Sequence, residues 1–428
     1  MSDSINRRRF LQQTAVGGAA VTAASRVLAD DDPTPDRTIT VGVMGMGGRG
    51  TSLAQQFQQQ PDCEVTYVCG VDQTRLAAAV KAVQKLSDRA PQAVGDFRRI
   101  LDDKSVDVLV CAAPDHWHAP ATILACSAGK HVYVEKPCCH NPREGELQMA
   151  AARKHDRIVQ IGTQRRSYPG LIEAIAKLHD GVIGRVLFSR GWYNNMRGSI
   201  GHGKPAEVPD GLDYDLWQGP APRRPFHSNT LHYNWHWFWH WGTGEIGNNG
   251  VHALDICRWG LGVDYPSRVT SGGGIYYFDD DQQTPDSQVV TFEFGDRMIT
   301  WEGRNWHPRG FEGTGFGASF YGDEGSMIVG GNDYKIYDRR DKLIEEGSGR
   351  GSDAAHIANF LEGIRTGTPP NAEIEIGYKS TLLCLLGSIA HRTGSTLNCD
   401  PINGRPIDNE KAMALWGREY EPGWEPTV

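Results

Sequence analysis

The chain has 428 residues, 39% of them hydrophobic and 22% charged, with a formal net charge of −8. That length leaves room for two domains, and that composition belongs to a soluble globular protein, not to a disordered chain or a membrane bundle. Residues 1–29 hold four arginines against one aspartate, so the remainder carries about −11, which argues against nucleic acid or anionic membranes as partners. Nine cysteines occur without a CxxC pair, most inside apolar runs such as those of Cys69, Cys111, Cys126, Cys257 and Cys384. They read as buried free thiols, and the adjacent Cys138 and Cys139 as packing.

The first 29 residues read as a targeting segment. Asn6-Arg7-Arg8-Arg9-Phe10-Leu11 has the twin-arginine pattern, a mild small-residue run follows from Thr14 to Ala24, and Val27-Leu28-Ala29 offers a cleavage site. The run is too short and too weakly apolar for an integral membrane segment. Export to a periplasm is therefore expected. Residues 30–37 form a polar, proline-containing linker.

Residues 38–161 carry the repeating pattern of strand, turn and helix that marks a Rossmann domain. Ile39 to Met44 is an apolar strand, and Gly45-Met46-Gly47-Gly48-Arg49-Gly50 is a G-x-G-x-x-G turn opening a helix. Such glycines allow a tight turn and close approach of backbone to a dinucleotide pyrophosphate. A second strand, Val65 to Val71, ends in Asp72, placed to accept hydrogen bonds from the adenosine ribose. NAD is the expected cofactor, since Asp72 would repel a 2′-phosphate and Gln73-Thr74 supplies no cation directly after it; NADP comes second, with Arg75 as the cation that could receive its phosphate. Val106 to Ala112 is another strand, followed by the turn Ala113-Pro114-Asp115-His116-Trp117-His118 and a helix over 119–127. The strand His131 to Val134 delivers Glu135, Lys136 and Pro137 to its carboxyl end, where open parallel sheets bind ligands. Ile158 to Ile161 is the last strand of the domain.

From residue 162 to 428 the pattern changes to a C-terminal α/β domain built on a large, open, mostly antiparallel sheet. Helices are expected at about 168–179, 245–260, 353–366 and 376–392. Strands are expected at 185–193, 267–278, 288–294, 297–302, 316–321 and 334–338. A long loop rich in Pro, Gly and Trp separates the first two strands.

The run Gly244-Glu245-Ile246-Gly247-Asn248-Asn249-Gly250-Val251-His252-Ala253-Leu254-Asp255 places Asn248 and His252 on one helix face, with Asp255 three residues further. Histidine can take a hydroxyl proton near neutral pH, and Asp255 could orient its ring. With VGVMGMGGRG and APDHWHAPATILACSAGKHVYVEKP, this run makes the chain resemble the Gfo/Idh/MocA (glucose–fructose oxidoreductase, inositol dehydrogenase) family over nearly the whole mature length. LDYDLWQGPAPRRPF, residues 212–226, is similar to the long loop of some secreted members. The resemblance implies that Lys136 contacts nicotinamide ribose and substrate, that His252 is the acid/base, and that Pro114 and His118 line the nicotinamide pocket. It also implies oligomer contacts through the open sheet, in a homodimer or homotetramer. Many members have aspartate where this chain has Asn248, and an amide can position a hydroxyl but cannot take a proton; Asp255 or Glu245 could substitute.

His232, His236 and His240 recur every four residues among Trp235, Trp237, Trp239 and Trp241. No carboxylate or cysteine spacing supports a metal, and none is expected. Two readings stand for the aromatics, a wall for stacking on a sugar and ordinary core packing. Arg165, Tyr168, Trp239 and Asp255 are the substrate candidates, with Arg166, Tyr193 and Asn194 as further polar ones. The expected activity is a nicotinamide-dependent oxidoreductase acting on a sugar or glycoside hydroxyl, with tightly retained cofactor. Alternatives are a redox-neutral NAD-dependent glycosidase or lyase, and a non-catalytic sugar-binding protein with a structural dinucleotide.

Overall fold

A computed structural model describes residues 37–428. The twin-arginine segment and all of the linker except Arg37 lie outside the described residues. The first sheet has six parallel strands: β1 (Ile39–Met44), β2 (Cys63–Cys69), β3 (Gln92–Val94), β4 (Val108–Cys111), β5 (His131–Val134) and β6 (Val159–Ile161). Their order is β3-β2-β1-β4-β5-β6. Helices cover both faces, so β4, β5 and β6 are buried at every residue and read as unbroken apolar runs. The order reverses between β1 and β4. In such sheets the crevice at that point, outside the carboxyl ends, is the ligand site.

The second sheet has nine strands: β7 (Val186–Asn194), β8 (Arg268–Gly274), β9 (Ser287–Phe294), β10 (Arg297–Arg304), β11 (Phe316–Gly322), β12 (Gly325–Val329), β13 (Asp333–Asp338), β14 (Leu343–Ser348) and β15 (Leu397–Asn398). They lie in the order β14-β13-β12-β11-β7-β10-β9-β8-β15, antiparallel apart from the β7–β10 pair. Helices Val251–Leu261 and Ile374–Thr393 pack on it. Helix Asp353–Thr366 crosses back instead to the first sheet, where Phe360 meets Phe57 and Tyr133 edge-on at 6.4 and 5.9 Å between centroids.

The structure differs from the sequence expectations where side chains redirect the backbone. β8 stops at Gly274, short of the expected 278, because the Asp286 carboxylate takes the N–H groups of Tyr276, Tyr277 and Phe278 at 2.9, 2.8 and 3.2 Å. β12 and β14 lie outside the expected strands, their alternation being weak beside flanking glycines and acids, and so do β3 and β15, which are only three and two residues long. The helix expected from residue 119 starts at Asp115, with Pro114 as its N-cap residue. Pro120 within it lacks the N–H that would bond the His116 carbonyl, and Arg418 Nη2 donates to that oxygen at 2.7 Å. All nine cysteines are buried and unpaired, as expected.

His356 ties helix Asp353–Thr366 to the end of β6. It is fully buried, with Nε2 2.9 Å from the Ile161 carbonyl and Nδ1 2.7 Å from Ser167 Oγ. Burial pushes its pKa from 6.5 down to about 4, and burial likewise drives His116 well below 6.5. Each folded pKa lies below the unfolded one, so protonation favours the unfolded chain. Their contribution is complete above about pH 6.5 and declines as pH falls toward 4, by at most about 1.4 kcal/mol per pH unit per histidine. Urea denaturation at pH 7.5 and 5.5 should show clearly lower stability at the acid value, with a shallower fall in His356→Asn.

Candidate active site

The glycine turn between β1 and helix Gly48–Gln58 forms one wall of a cleft of about 730 Å³. Gly45 has φ +96°, and a Cβ there would lie 2.5 Å from the Ala113 nitrogen; a Cβ on Gly50 would lie 1.9 Å from the Gly45 carbonyl oxygen. Both positions therefore require glycine. A Cβ on Gly47 would meet nothing within 4 Å, which leaves the helix N-terminus open to a diphosphate. Met46 lines the same cleft, as does Asp72 just beyond β2. These features fit the dinucleotide that the sequence calls for. Asp72 Oδ1 also caps the next helix, accepting the Arg75 N–H at 2.9 Å, and Oδ2 lies 3.3 Å from His232 Nε2.

Lys136 leaves β5 and crosses the cleft to the other domain. Its Nζ donates to the Asn248 main-chain oxygen at 2.6 Å and to Asn248 Oδ1 at 3.2 Å. Asn248 stands in a π-helical turn, Ile246–Gly250, that runs into helix Val251–Leu261. Its Nδ2 donates to the Tyr233 hydroxyl at 3.2 Å, which also accepts from Arg197 Nη1 at 3.1 Å. His252, in the next turn, lines the cleft, and its Nδ1 is buried without a hydrogen-bond partner. Burial, and then the Lys136 ammonium, hold His252 well below its ordinary pKa, so the ring is neutral. Glu135, beside Lys136, is held by Arg49 Nε at 2.7 Å, while Arg49 Nη1 reaches Asp353 at 2.5 Å. Pro114 and His118 also line the cleft. Both ring nitrogens of His118 face carbonyl oxygens, Pro137 at 2.6 Å and Ala113 at 2.8 Å, so this side chain braces residues 135–137, the candidate catalytic loop.

Several expected site residues lie elsewhere. Asp255 does not reach His252. It takes Arg166 Nε and Nη2, each at 2.8 Å, and the Ser380 hydroxyl at 2.6 Å, deep between helices. Glu245 is likewise occupied, by Arg197 at 2.7 Å and Asn249 at 2.6 Å, so neither carboxylate replaces the aspartate missing at Asn248. Arg165 lies outside the cleft lining, its guanidinium 4.0 Å over the Phe316 ring and donating to the Gly331 carbonyl at 2.8 Å, and Tyr168 packs beside it. Tyr193 and Asn194 end β7 and are also outside that lining. Trp239 faces a different cavity, under the Arg392 guanidinium.

The histidine run does not form a helix face. It holds only a short 3-10 turn, Asn234–Trp237, and its three imidazoles point to Asp72, the Trp235 ring and the Pro222 carbonyl respectively. Among the described residues no group of three or more metal-binding side chains occurs. Trp235 and Trp241 belong to a small core with Tyr214, Trp217 and Phe226, and Trp237 is buried too. Core packing thus accounts for most of the aromatics.

That small core shapes a segment the sequence reading did not place, residues 211–236, which crosses the cleft. Gln73 N donates to the Gly211 carbonyl at 3.0 Å and Asp213 N to the Val71 carbonyl at 2.9 Å, pinning one end beside Asp72. The Trp217 carbonyl accepts from Trp117 Nε1 at 2.9 Å, and Leu212, Trp217, Tyr233 and His236 line the cleft. Trp117 and His118 line the cleft as well, whereas Arg37 pairs with Asp107 beside the amino ends of β1 and β4, away from it. Tyr233 and Arg49 are among the cleft residues missed from sequence, with Arg197 behind Tyr233; only Arg49, inside the glycine turn, had a local signal.

Two family descriptions match: "Oxidoreductase family, NAD-binding Rossmann fold" over residues 39–163, and "Oxidoreductase family, C-terminal alpha/beta domain" over residues 190–425. A glycosyl hydrolase family 109 protein of Saccharopolyspora erythraea is 28% identical over 214 residues, 45% of this chain and 46% of the relative. Levoglucosan dehydrogenase of Pseudarthrobacter phenanthrenivorans is 30% identical over 164 residues, 37% of this chain and 41% of the relative. The chain thus spans less than half the length of these curated relatives. The solved structure of levoglucosan dehydrogenase with NADH and levoglucosan is similar in fold, with TM-score 0.65 and 18% identity over 84% of this chain and 99% of that one. The two matched regions cover most of the sequence, and the chain belongs to the Gfo/Idh/MocA oxidoreductase family, with an NAD-binding Rossmann domain.

Proposed function

We propose that the protein oxidises a hydroxyl of a sugar or glycoside with NAD, passes the hydride from the retained cofactor to a second sugar, and works after export by the twin-arginine route. The observation that carries this reading is the Lys136–Asn248–His252 cluster inside the glycine-walled cleft. When bound, NAD supplies the hydride acceptor. Lys136 presents a positive charge fixed by two oxygens of Asn248, suited to an alkoxide that develops as the hydroxyl loses its proton. His252 is neutral and can accept that proton. The growing negative charge on the substrate oxygen offsets part of the penalty that burial places on the charged ring. Asn248 holds Lys136 and Tyr233 in place but carries no proton. Asp72 at the ribose end favours NAD over NADP by repelling a 2′-phosphate.

A second reading has its own support. Several relatives are named glycosyl hydrolase family 109 proteins, and segment 211–236 covers the cleft. Transient oxidation of a ring carbinol, elimination of the glycosidic oxygen, addition of water and return of the hydride would break a glycoside with no net redox change. Both readings need a cofactor that stays in place outside the cytoplasm. Retention over many turnovers corresponds to a roughly nanomolar Kd, about −12 kcal/mol, and the segment anchored at Val71 and Gln73 provides contacts beyond the glycine turn.

Lys136→Met and His252→Ala should each lower turnover by at least about a hundredfold, the loss expected for a removed charge or proton acceptor. Their NAD content, measured after denaturation, should match the unaltered protein. Asn248→Asp would put a carboxylate beside His252 and favour its protonated form. Activity needs the neutral ring, so the acid limb of the pH–rate profile should move to higher pH, by about one unit. Protein taken through gel filtration should carry near-stoichiometric NAD(H) and act without added cofactor, giving products with no net oxidation. A preparation that emerges empty and consumes added NAD+ would mark an ordinary dehydrogenase.

A further inference from the structure

Behind the catalytic loop lies a second cavity of about 470 Å³ that shares no lining residue with the cofactor cleft. Its walls come from His140–Pro142, from the 222–224 and 239–243 stretches, from helix Ile374–Thr393 and from the 414–419 segment. Four side chains that line it carry buried polar atoms without a partner: Asn141 Nδ2, Ser388 Oγ, Arg418 Nη1 and both ring nitrogens of His140. Asn141 and Ser388 are only 4% and 5% exposed. Buried polar atoms are nearly always satisfied in folded proteins, so orphans gathered in one cavity call for an occupant.

The chemistry of the lining points to the occupant's class. Asn141 Nδ2 and Arg418 Nη1 can only donate, and Ser388 can donate as well. Four arginines line the cavity, Arg223, Arg224, Arg392 and Arg418, against one carboxylate, Glu419, in a chain whose overall charge is −8. Arg418 already pairs with Glu144 at 2.6 Å. Arg392, at the exposed mouth, has no ion-pair partner among the described residues and lies over the Trp239 ring, 5.2 Å from its centroid. Leu385 and Ile389 supply an apolar side. We propose that this cavity is a second ligand site, taking a small oxyanion, a carboxylate or a phosphate, against Arg392, Asn141 and Arg418. Donors without acceptors and a guanidinium without a counterion are what such an anion would complete. The site stands apart from the cofactor cleft, and the proposal does not depend on which sugar reaction occurs there.

The test uses the full protein with the cofactor cleft saturated with NAD+. Inorganic phosphate and glucuronate are titrated separately by calorimetry, with sodium chloride at matched ionic strength and glucose as controls. Saturable binding of at least one of the two anions, at one per chain and absent from both controls, is expected. Glucuronate alone would identify a sugar acid as the ligand type, and phosphate alone a phosphate. Arg392→Gln should weaken that binding at least tenfold. Asn141→Asp is the companion, because Asn141 Oδ1 caps helix Pro142–Lys154 by accepting the Glu144 N–H at 3.1 Å. Aspartate keeps the cap and turns the orphan donor into a repelling oxygen, so Asn141→Asp should fold normally and lose the anion. No saturable binding of either anion, or binding unchanged in both variants, would overturn the proposal and leave a cavity filled by water.

Discussion

The Lys136 ammonium leaves the carboxyl end of one sheet and ends 2.6 Å from a main-chain oxygen of the other domain. A charge at a partly enclosed junction must be compensated, and here the compensation comes from the two oxygens of Asn248, not from a carboxylate. The cation therefore faces the cleft with no carboxylate bonded to its ammonium, and the neighbouring groups are arranged around it. His252 is neutral because it is buried beside it. The carboxylate next to Lys136 in sequence, Glu135, is turned away and held by Arg49. Asp255 and Glu245, the other acids in reach by sequence, are locked on Arg166 and Arg197.

Those ion pairs also explain how two sheets of different construction hold one cleft between them. Arg49 joins the glycine turn to Glu135 after β5 and to Asp353 at the start of the helix that returns to the first sheet. The Arg166–Asp255 pair is buried with a third partner, Ser380, and fixes the helix that carries His252 against helix Ile374–Thr393. Removing one member of such a buried pair costs about 3–5 kcal/mol, because the other is left charged and unpaired. The turn that carries Asn248 and His252 is thus held in place by ion pairs on either side of it.

The segment over the cleft follows a different logic. Its aromatic residues fill their own small core, with Trp217 and Tyr214 stacked at 5.7 Å, and this gives an otherwise loop-rich stretch a fixed shape. Backbone hydrogen bonds at Val71 and Gln73 then attach it beside Asp72. The crevice is covered by packing, with no disulfide and no cluster of metal-binding side chains among the described residues.

The sequence by itself determined five of the six strands of the first sheet, all but the short edge strand β3, and the glycine turn of its NAD-binding domain. Glycines at 45 and 50, Asp72, and Glu135-Lys136-Pro137 act through local backbone geometry, and local geometry is written in local sequence. That Asn248 and His252 reach the same cleft was legible from their spacing of four residues, although a π-helical turn carries the first of them. Partners far apart in the chain were not legible. Asp255 has the helical spacing to serve His252, but tertiary packing delivers Arg166 and Ser380 to it first. The four-residue spacing of His232, His236 and His240 looks helical, yet the tryptophans between them bury themselves in a separate core and no helix forms. Which residues cover the cofactor, and which arginines remain without a counterion in the second cavity, depend on contacts between segments more than a hundred residues apart. Only the folded chain decides those, because a side chain's charge and hydrogen bonds are settled by the neighbours that packing supplies and not by the residues beside it in sequence.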